Sequence, residues 1–399
     1  MALLNIQEKT PTQKFSIFVL GFRPFFLAAG FFSMISIALW MLIYVFGVSI
    51  PLVGLSSFHW HAHEMLYGYT MAVVAGFLLT AVKNWTGIQT WQHGKLIGLF
   101  LLWVAARICL LMGTQWIYLA ALFDLGFNLL LFIAALLPVI RVKQWNQVGI
   151  ISKLSLLAIA NLLFYLGVFG ILDQGIYWGI YAGLYLLIAL VLTMGRRVLP
   201  FFIERGVGYP VQLKNSRLLD LSSLLLFLVF TLNEVFFNTS ITAYICAVLF
   251  VITSLRLINW YTPGIWRVPL LWGLYTAFLA IDAGFALFAL APFVHSMTAS
   301  LAVHAMAFGG IGIITLSMMS RITLGHTGRD VHQPSRWIAV AQWLLLLGLF
   351  CRVLLPLFML SSYVYLIALS QLLWIGAFII FVSVNLPLLS KPRIDGAAG

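Results

Sequence analysis

The sequence predicts an all-α polytopic membrane protein with twelve transmembrane helices. Of its 399 residues, 63% are hydrophobic and 8% are charged, and the mean hydropathy is +1.07. Long apolar runs alternate with short polar joints, and each run approaches the ~20 residues that a helix needs to cross a bilayer core. We therefore interpret the chain, residues 1–399, as a single transmembrane domain.

The twelve predicted spans follow one another along the whole chain. They cover residues 23–47, 62–82, 95–113, 117–139, 152–172, 175–199, 218–237, 241–260, 269–291, 296–319, 336–357 and 362–387. The first apolar run ends too far downstream for a signal peptide and lacks a small-residue cleavage pattern, so we expect no removable signal peptide.

Positive charge falls only on alternate joints between the spans. The basic residues are Lys9, Lys14 and Arg23; Lys83 and Lys95; Arg141, Lys143 and Lys153; Arg196, Arg197, Arg205, Lys214 and Arg217; Arg256 and Arg267; Arg321, Arg329 and Arg336; and Lys391 and Arg393. Cytoplasmic loops of membrane proteins are enriched in Lys and Arg, so this pattern predicts that both termini are cytoplasmic and that the number of spans is even. The net charge of +12 is thereby explained by basic residues at the cytoplasmic face, next to membrane lipid, and a nucleic-acid partner is not needed to account for it.

A polar cluster lies at the start of the second span, where His59, His61, His63 and Glu64 precede a long apolar run. Such groups are costly to desolvate and need water, a metal, a haem or a counter-charge. Imidazole binds both haem iron and copper, and Met65 adds a thioether. If the helix already runs from His59, then His59 and His63 share a face and His61 points elsewhere. The alternative is that these are interfacial histidines, hydrogen-bonded to headgroups and water.

The second and tenth spans contain an internal repeat. Residues 63–87 read HEMLYG…TG and residues 304–328 read HAMAFG…TG, with the same separation from histidine to final glycine. A weaker similarity relates 194–199 in the sixth span to 319–324. Helices two, six and ten are spaced by four, which predicts three four-helix units, 15–145, 146–265 and 266–393, in a pseudo-threefold arrangement around the membrane normal. Alternatively, the similarity reflects the common composition of membrane helices.

The repeat suggests a haem site. His63 and His304 should lie at comparable depth in the outer half of the membrane, on helices that run in the same direction. Two neutral imidazoles on facing helices can ligate a six-coordinate low-spin haem, so His63 and His304 are predicted axial ligands. The alternative for His304 is an ordinary buried histidine whose hydrogen bonds are satisfied.

Two arginines within spans are candidate partners for the haem propionates. Arg107 and Arg352 lie in the outward halves of the third and eleventh spans, next in the chain to the histidine-bearing spans, and guanidinium groups form charge-assisted hydrogen bonds with carboxylates. The alternative is an internal salt bridge to Asp124, Glu234 or Asp282, acids that could also belong to a proton or water path.

A second, outer metal site is a further hypothesis. Once His63 is assigned to haem, the remaining candidates are His59, His61, Glu64 and His295, and copper could use two or three of them with Met65. This combination suits copper, although the spacing is compatible with metal binding without specifying it.

Motifs for several other chemistries are lacking. Cys109, Cys246 and Cys351 lie in separate spans, which excludes a CxxC site and predicts no disulfide framework. The sequence contains no phosphate-binding glycine loop and no catalytic-triad motif, so we expect no ATP-driven chemistry on this chain.

The motifs that stand out most are GFRPFF at 21–26, WHAHEM at 60–65, AGFLLTAVKNWTG at 75–87, MGRRVLPFF at 194–202 and SRITLGHTGRD at 320–330. In this combination the sequence closely resembles the NnrS family over essentially the whole chain. The resemblance implies a bacterial inner-membrane protein of twelve spans, associated with denitrification and the response to nitric oxide, that contains haem and copper. Lys83 departs from the pattern, since many relatives have proline before NWTG.

A more distant similarity is to the catalytic subunits of haem–copper oxidases. Those proteins also have twelve spans in three four-helix arcs, and histidines from spans two and ten hold their low-spin haem. His63 and His304 match this arrangement by position. Spans six and seven of the present chain contain no histidine, so the oxidase copper site and oxygen-reducing, proton-pumping activity are not expected.

Our preferred hypothesis is therefore an inner-membrane protein with a b-type haem and a possible copper site that acts in nitric oxide metabolism or nitrosative-stress defence. Its partners would be nitric oxide and an electron donor, because a bis-histidine haem is suited to electron transfer. The competing hypothesis is a membrane transporter whose repeats surround a midplane site and whose histidines bind a metal or a proton.

Overall fold

The computed structural model describes residues 16–50, 52 and 55–396, and all regular structure in this part of the chain is helical. Its long helices are α1 Phe22–Tyr44, α2 Ser57–Thr86, α3 His93–Cys109, α4 Ile117–Arg141, α5 Val148–Val168, α6 Gly175–Gly206, α7 Arg217–Phe237, α8 Ile241–Trp260, α9 Pro269–Leu290, α10 Ala299–His326, α11 Arg336–Leu357 and α12 Tyr363–Ser390. The predicted all-α class is confirmed. Lys9 and Lys14, which contributed to the topology prediction, lie outside the described residues.

Within the described ranges, eleven helices are long and apolar enough to cross a membrane, so the chain has the character of a multi-pass membrane protein. The predicted span 95–113 corresponds to α3, which has 17 residues and is shorter than the other eleven. At 1.5 Å per residue α3 extends for roughly 26 Å, somewhat less than a typical hydrocarbon core. The count of twelve membrane spans therefore stays a prediction.

The start of α2 differs from the sequence-based boundary. The apolar run predicted a span from residue 62, whereas the helix begins at Ser57. Ser56 is the reason, because its hydroxyl caps the helix by accepting a hydrogen bond from the His59 N–H at 3.2 Å. The three histidines thus lie in the first two turns of a continuous helix, where their directions are fixed.

Three helices related by the predicted repeat meet in the interior. α6 contacts both α2 and α10, and the lower half of α2 contacts α10. In the most apolar stretch of α2, 83% of the residues are buried, whereas in that of α7, on the periphery, 33% are buried. α1 packs against α12, so the first and last helices are neighbours. The division into units 15–145, 146–265 and 266–393 stays a prediction.

The repeat extends to backbone geometry. Directly after His63 the helix widens into a π-helical segment, Glu64–Thr70, and directly after His304 it does so again at Ala305–Gly312. π-helical turns are rare and occur often at functional sites. Because such a turn changes which residues share a face, a regular 3.6-residue period cannot predict the directions of side chains on both sides of it.

The glycines that end both copies of the repeat have the same structural role. Gly87 and Gly328 adopt positive φ angles of 69° and 76° next to the ends of α2 and α10. Glycine adopts this left-handed conformation without the steric cost of a Cβ atom and commonly terminates helices. The TG sequences at these positions, including the one in GHTG, are therefore explained as helix ends.

Candidate functional site

A cavity of about 540 Å³ lies at the predicted outer end of the helices. It is enclosed by the end of α1, the starts of α2, α6, α10 and α12, and the end of α11. Its volume is in the range of sites that bind small molecules and cofactors. The polar side chains and sulfur that line it include His59, His61, Met65, His304 and Arg352, and its aromatic walls include Trp40, Tyr69, Tyr177, Tyr181, Phe308, Tyr363 and Trp374.

His61 faces this cavity from the second turn of α2. Its ring stacks on Trp40 of α1 with 4.6 Å between ring centroids and an angle of 6° between the planes. Its Nδ1 atom is buried and has no hydrogen-bond partner among the described residues. Buried polar atoms are nearly always paired, so the unpaired Nδ1 of His61 is unusual.

His304 faces the same cavity from the start of α10, and its protonation is defined by its contacts. Nδ1 donates a hydrogen bond to the carbonyl oxygen of Ser300 at 2.7 Å, so Nε2 carries the lone pair. Arg352 donates to that Nε2 atom at 3.1 Å. Metal-binding histidines typically donate their second N–H to a carbonyl or a carboxylate in this way, which fixes the tautomer and the orientation of the ring.

Arg352 lies in a π-helical segment of α11, Phe350–Leu354, and is buried. Besides His304 it contacts Tyr363, donating to the hydroxyl at 3.2 Å. In the part of the chain that the structure describes, no carboxylate lies within ion-pair distance of Arg352. A buried cation without a counter-charge is unfavourable, so this side of the cavity suits an anionic group.

The other residues predicted to bind metal are only partly brought together. Met65 lines the cavity, and its sulfur accepts a hydrogen bond from Ser36 at 3.5 Å. His59 lies at the exposed edge of the cavity, whereas His295 is exposed and does not line it. No group of three or more His, Cys, Asp or Glu side chains within the described ranges is arranged to hold a metal ion. The outer copper site gains no support from this geometry.

His63 lies in a different environment, fully buried between α2, α4 and α5 and outside the lining of the cavity. Its ring stacks on Phe164 at 4.2 Å. Nδ1 lies 3.0 Å from a carboxylate oxygen of Glu64. Nε2 lies 3.0 Å from the side-chain oxygen Oδ1 of Asn161 and 3.3 Å from a carboxylate oxygen of Asp124. The predicted pairing of His63 with His304 across one cavity is therefore not what the structure shows.

The contacts of His63 define its charge. Asn161 donates its amide N–H to Asp124 at 2.9 Å, which orients its carbonyl oxygen towards His63. Both ring nitrogens of His63 consequently face hydrogen-bond acceptors, and an imidazole that donates from both nitrogens is a cation. In this arrangement His63 has no lone pair for iron.

Arg107 completes this buried cluster, donating to both Glu64 and Asp124. The two cations, Arg107 and His63, balance the two carboxylates. The alternative interpretation of Arg107 as a partner in an internal salt bridge, with Asp124, therefore describes its position better than propionate binding. Sequence reasoning missed Asn161 and Tyr165, which also contact Asp124, because nothing in their spacing links α5 to the second span.

The other two acids predicted as arginine partners, Glu234 and Asp282, are separate from both arginines. Glu234 accepts a hydrogen bond from Thr242 at 2.9 Å, and Asp282 accepts one from Ser254 at 2.7 Å. Neither forms an ion pair with Arg107 or Arg352. They therefore do not supply the missing counter-charge of the cavity.

The residues that face the cavity fit a haem better than they fit a free metal ion. The cavity combines one histidine with an oriented lone pair, a second with an unsatisfied nitrogen, aromatic walls and a buried cation for a carboxylate. A macrocycle needs two axial donors and partners for its propionates, whereas a bound metal ion needs three or four donors at one point.

Comparison with protein-family models finds a match to the family described as NnrS protein, over residues 16–393. No curated protein matches the chain. Because the match covers nearly the whole length, the chain belongs to the NnrS family.

Proposed function

We propose, from membership of the NnrS family and the geometry of the cavity, that this membrane protein binds a b-type haem and acts in nitric oxide metabolism or nitrosative-stress defence. The observation that carries the proposal is the pair of available imidazoles on α2 and α10 in one cavity that also holds Arg352. His61 and His304 are the residues that would hold the haem.

His61 replaces His63 in this proposal because of where the two side chains lie. His63 is engaged at both nitrogens inside a neutral ion cluster, whereas His61 lines the cavity and has a ring nitrogen without a hydrogen-bond partner among the described residues. Both residues belong to the same turn of α2, so the proposed ligand remains on the helix that the repeat identified.

The chain's own groups would position the cofactor. The Ser300 carbonyl holds the His304 ring by its Nδ1–H and increases the basicity of Nε2. Arg352 would turn from Nε2 to a propionate and form charge-assisted hydrogen bonds with it. Trp40 and the other aromatic walls would exclude water. When bound, the haem would supply one-electron redox chemistry and a binding site for nitric oxide.

The cellular setting remains part of the proposal. Membership of the NnrS family implies a bacterial inner membrane location. The distribution of positive charge supports cytoplasmic termini, which would place the cavity near the periplasmic face. An electron donor would then reach the haem from that side. Copper at His59, His61 and Met65 is not part of the proposal, because His61 is assigned to haem.

A transporter is the second candidate, favoured by the buried cluster of His63, Glu64, Arg107 and Asp124. Ionisable groups within membrane helices often belong to ion or proton paths. In this case all four charges are mutually compensated among helices α2, α3 and α4. This arrangement resembles a fixed structural element more than a site that exchanges an ion.

Absorption spectroscopy and haem analysis of the purified protein test the proposal. We expect a Soret band, sharp α and β bands on reduction, and one low-spin haem ligated by two histidines. A folded protein that binds no haem after expression with adequate haem supply, and that takes up metal ions or protons into vesicles, would contradict it and favour the transporter.

A further inference from the structure

A second, smaller cavity of about 90 Å³ lies between α2, α6, α9 and α10. Its walls include Val73 of α2, Leu190 of α6, Phe278 of α9 and Ile314 of α10. Val73, Leu190 and Ile314 lie near the middle of their helices, so the cavity lies at the depth of the membrane core, further inside than the large cavity.

The lining of this small cavity presents almost only carbon. Its two hydroxyl groups, those of Thr70 and Thr315, both donate to backbone carbonyls, Thr70 to Met65 at 2.7 Å and Thr315 to Ile311 at 2.7 Å. No charged side chain lines it. Apolar cavities of this kind hold no ordered water and can bind xenon or small apolar molecules.

The small cavity borders the large one. Thr70 and Ile311 line both cavities, so they form the partition between them. Thr70 ends the π-helical segment of α2 and Ile311 lies in that of α10. The two widened turns of the repeat therefore meet at the boundary between the polar cavity and the apolar one.

We propose that the small cavity is a binding site for a small uncharged diatomic gas, which passes the partition formed by Thr70 and Ile311 into the large cavity. Nitric oxide is such a gas, and its delivery to a haem rests on the function proposed above. A volume of about 90 Å³ is enough for a diatomic molecule. The absence of unpaired polar atoms in the lining excludes ions and favours a ligand without hydrogen-bonding needs.

Xenon tests the binding site independently of haem. Crystals of the full-length protein under xenon pressure should show density in the small cavity. Val73→Phe should abolish that density by filling the space, and Val248→Phe, a control on an exposed position of α8, should leave it unchanged. Xenon density that is lacking in the wild type, or that remains in a folded Val73→Phe variant, would overturn the proposal.

The rate of nitric oxide binding tests the passage. At low nitric oxide concentration, stopped-flow mixing with the reduced haem protein should be several-fold slower for Val73→Phe and faster for Ile311→Ala, which widens the partition. Ile311→Ala also serves if Val73→Phe fails to fold. Unchanged rates in both variants, with xenon displaced from Val73→Phe, would overturn the passage. If the protein contains no haem, the proposed function fails, and the xenon result alone decides whether the cavity binds an apolar gas.

Discussion

The repeat histidines His63 and His304 both have an arginine nearby, yet the two sites differ in charge balance. His63 and Arg107 share the carboxylates of Glu64 and Asp124, whereas His304 contacts Arg352 directly. In the first copy, Arg107 meets two carboxylates and His63 donates from both nitrogens. In the second, Arg352 donates to His304 and borders an open cavity. At the first site the arginine is thus neutralised by carboxylates of the chain, and we call it the closed site. At the second site the arginine has no carboxylate partner among the described residues, and we call it the open site.

One sequence difference accounts for much of this contrast. Glu64 follows His63, whereas Ala305 follows His304 at the matching position. Glu64 supplies one of the two carboxylates that hold Arg107, and an alanine in its place can supply none. The comparison teaches that the open site lacks its counter-charge within the described chain, which is what a site for an anionic cofactor requires.

The largest expected effect comes from breaking the closed site. Arg107→Leu would leave Glu64 and Asp124 buried with only His63 to balance them. Removing one partner of a buried ion pair typically costs about 3–5 kcal/mol, so we expect a large fall in thermal stability in detergent. The double variant Arg107→Leu with Asp124→Leu should recover part of it. A single variant as stable as the wild type would show that the cluster does not stabilise the fold.

Converting the open site into a closed one should have the next largest effect. Ala305→Glu introduces at the second site the carboxylate that Glu64 provides at the first. We expect it to pair with Arg352, to raise the stability of the haem-free protein and to prevent haem retention, measured as haem per folded protein. Ala305→Gln, which has similar size but no charge, is the matched control. Equal haem content in the glutamate variant and the wild type would break the comparison.

Arg352→Leu should have the smallest effect of the three, because we expect it to change haem affinity and not the stability of the haem-free protein. We expect the haem-free protein to keep its stability, because the substitution removes a buried cation that lacks a counter-charge. Haem affinity should fall roughly ten- to hundredfold, since hydrogen bonds to charged groups contribute about 1.5–3 kcal/mol. Arg352→Lys, which keeps the charge, should lose less. If instead Arg352→Leu destabilised the protein as much as Arg107→Leu, the two arginines would have the same structural role.

The sequence was sufficient to predict the helical membrane class and the pairing of α2 with α10, because these depend on apolar length and on a repeated motif. The direction of each histidine was not predictable. The helix begins five residues before the apolar run, at a serine cap, and a π-helical segment then interrupts the regular period. These two local features decide that His61 faces the cavity and His63 does not.

The partners within the ion cluster were also only partly predictable from the sequence. Asp124 could be named as a salt-bridge partner because a lone acid within a span needs one. The choice between Arg107 and Arg352 depends on which helices pack together, and the participation of Asn161 depends on the position of α5. Neither follows from composition or periodicity.

Low-temperature electron paramagnetic resonance of oxidised histidine variants shows which histidines hold the haem. We predict that His61→Ala and His304→Ala each abolish or convert the low-spin haem signal, while His63→Gln, in protein that folds and inserts normally, keeps it. Loss of the signal in His63→Gln together with an unchanged signal in His61→Ala would contradict the proposed role of His61 and make His63 the ligand.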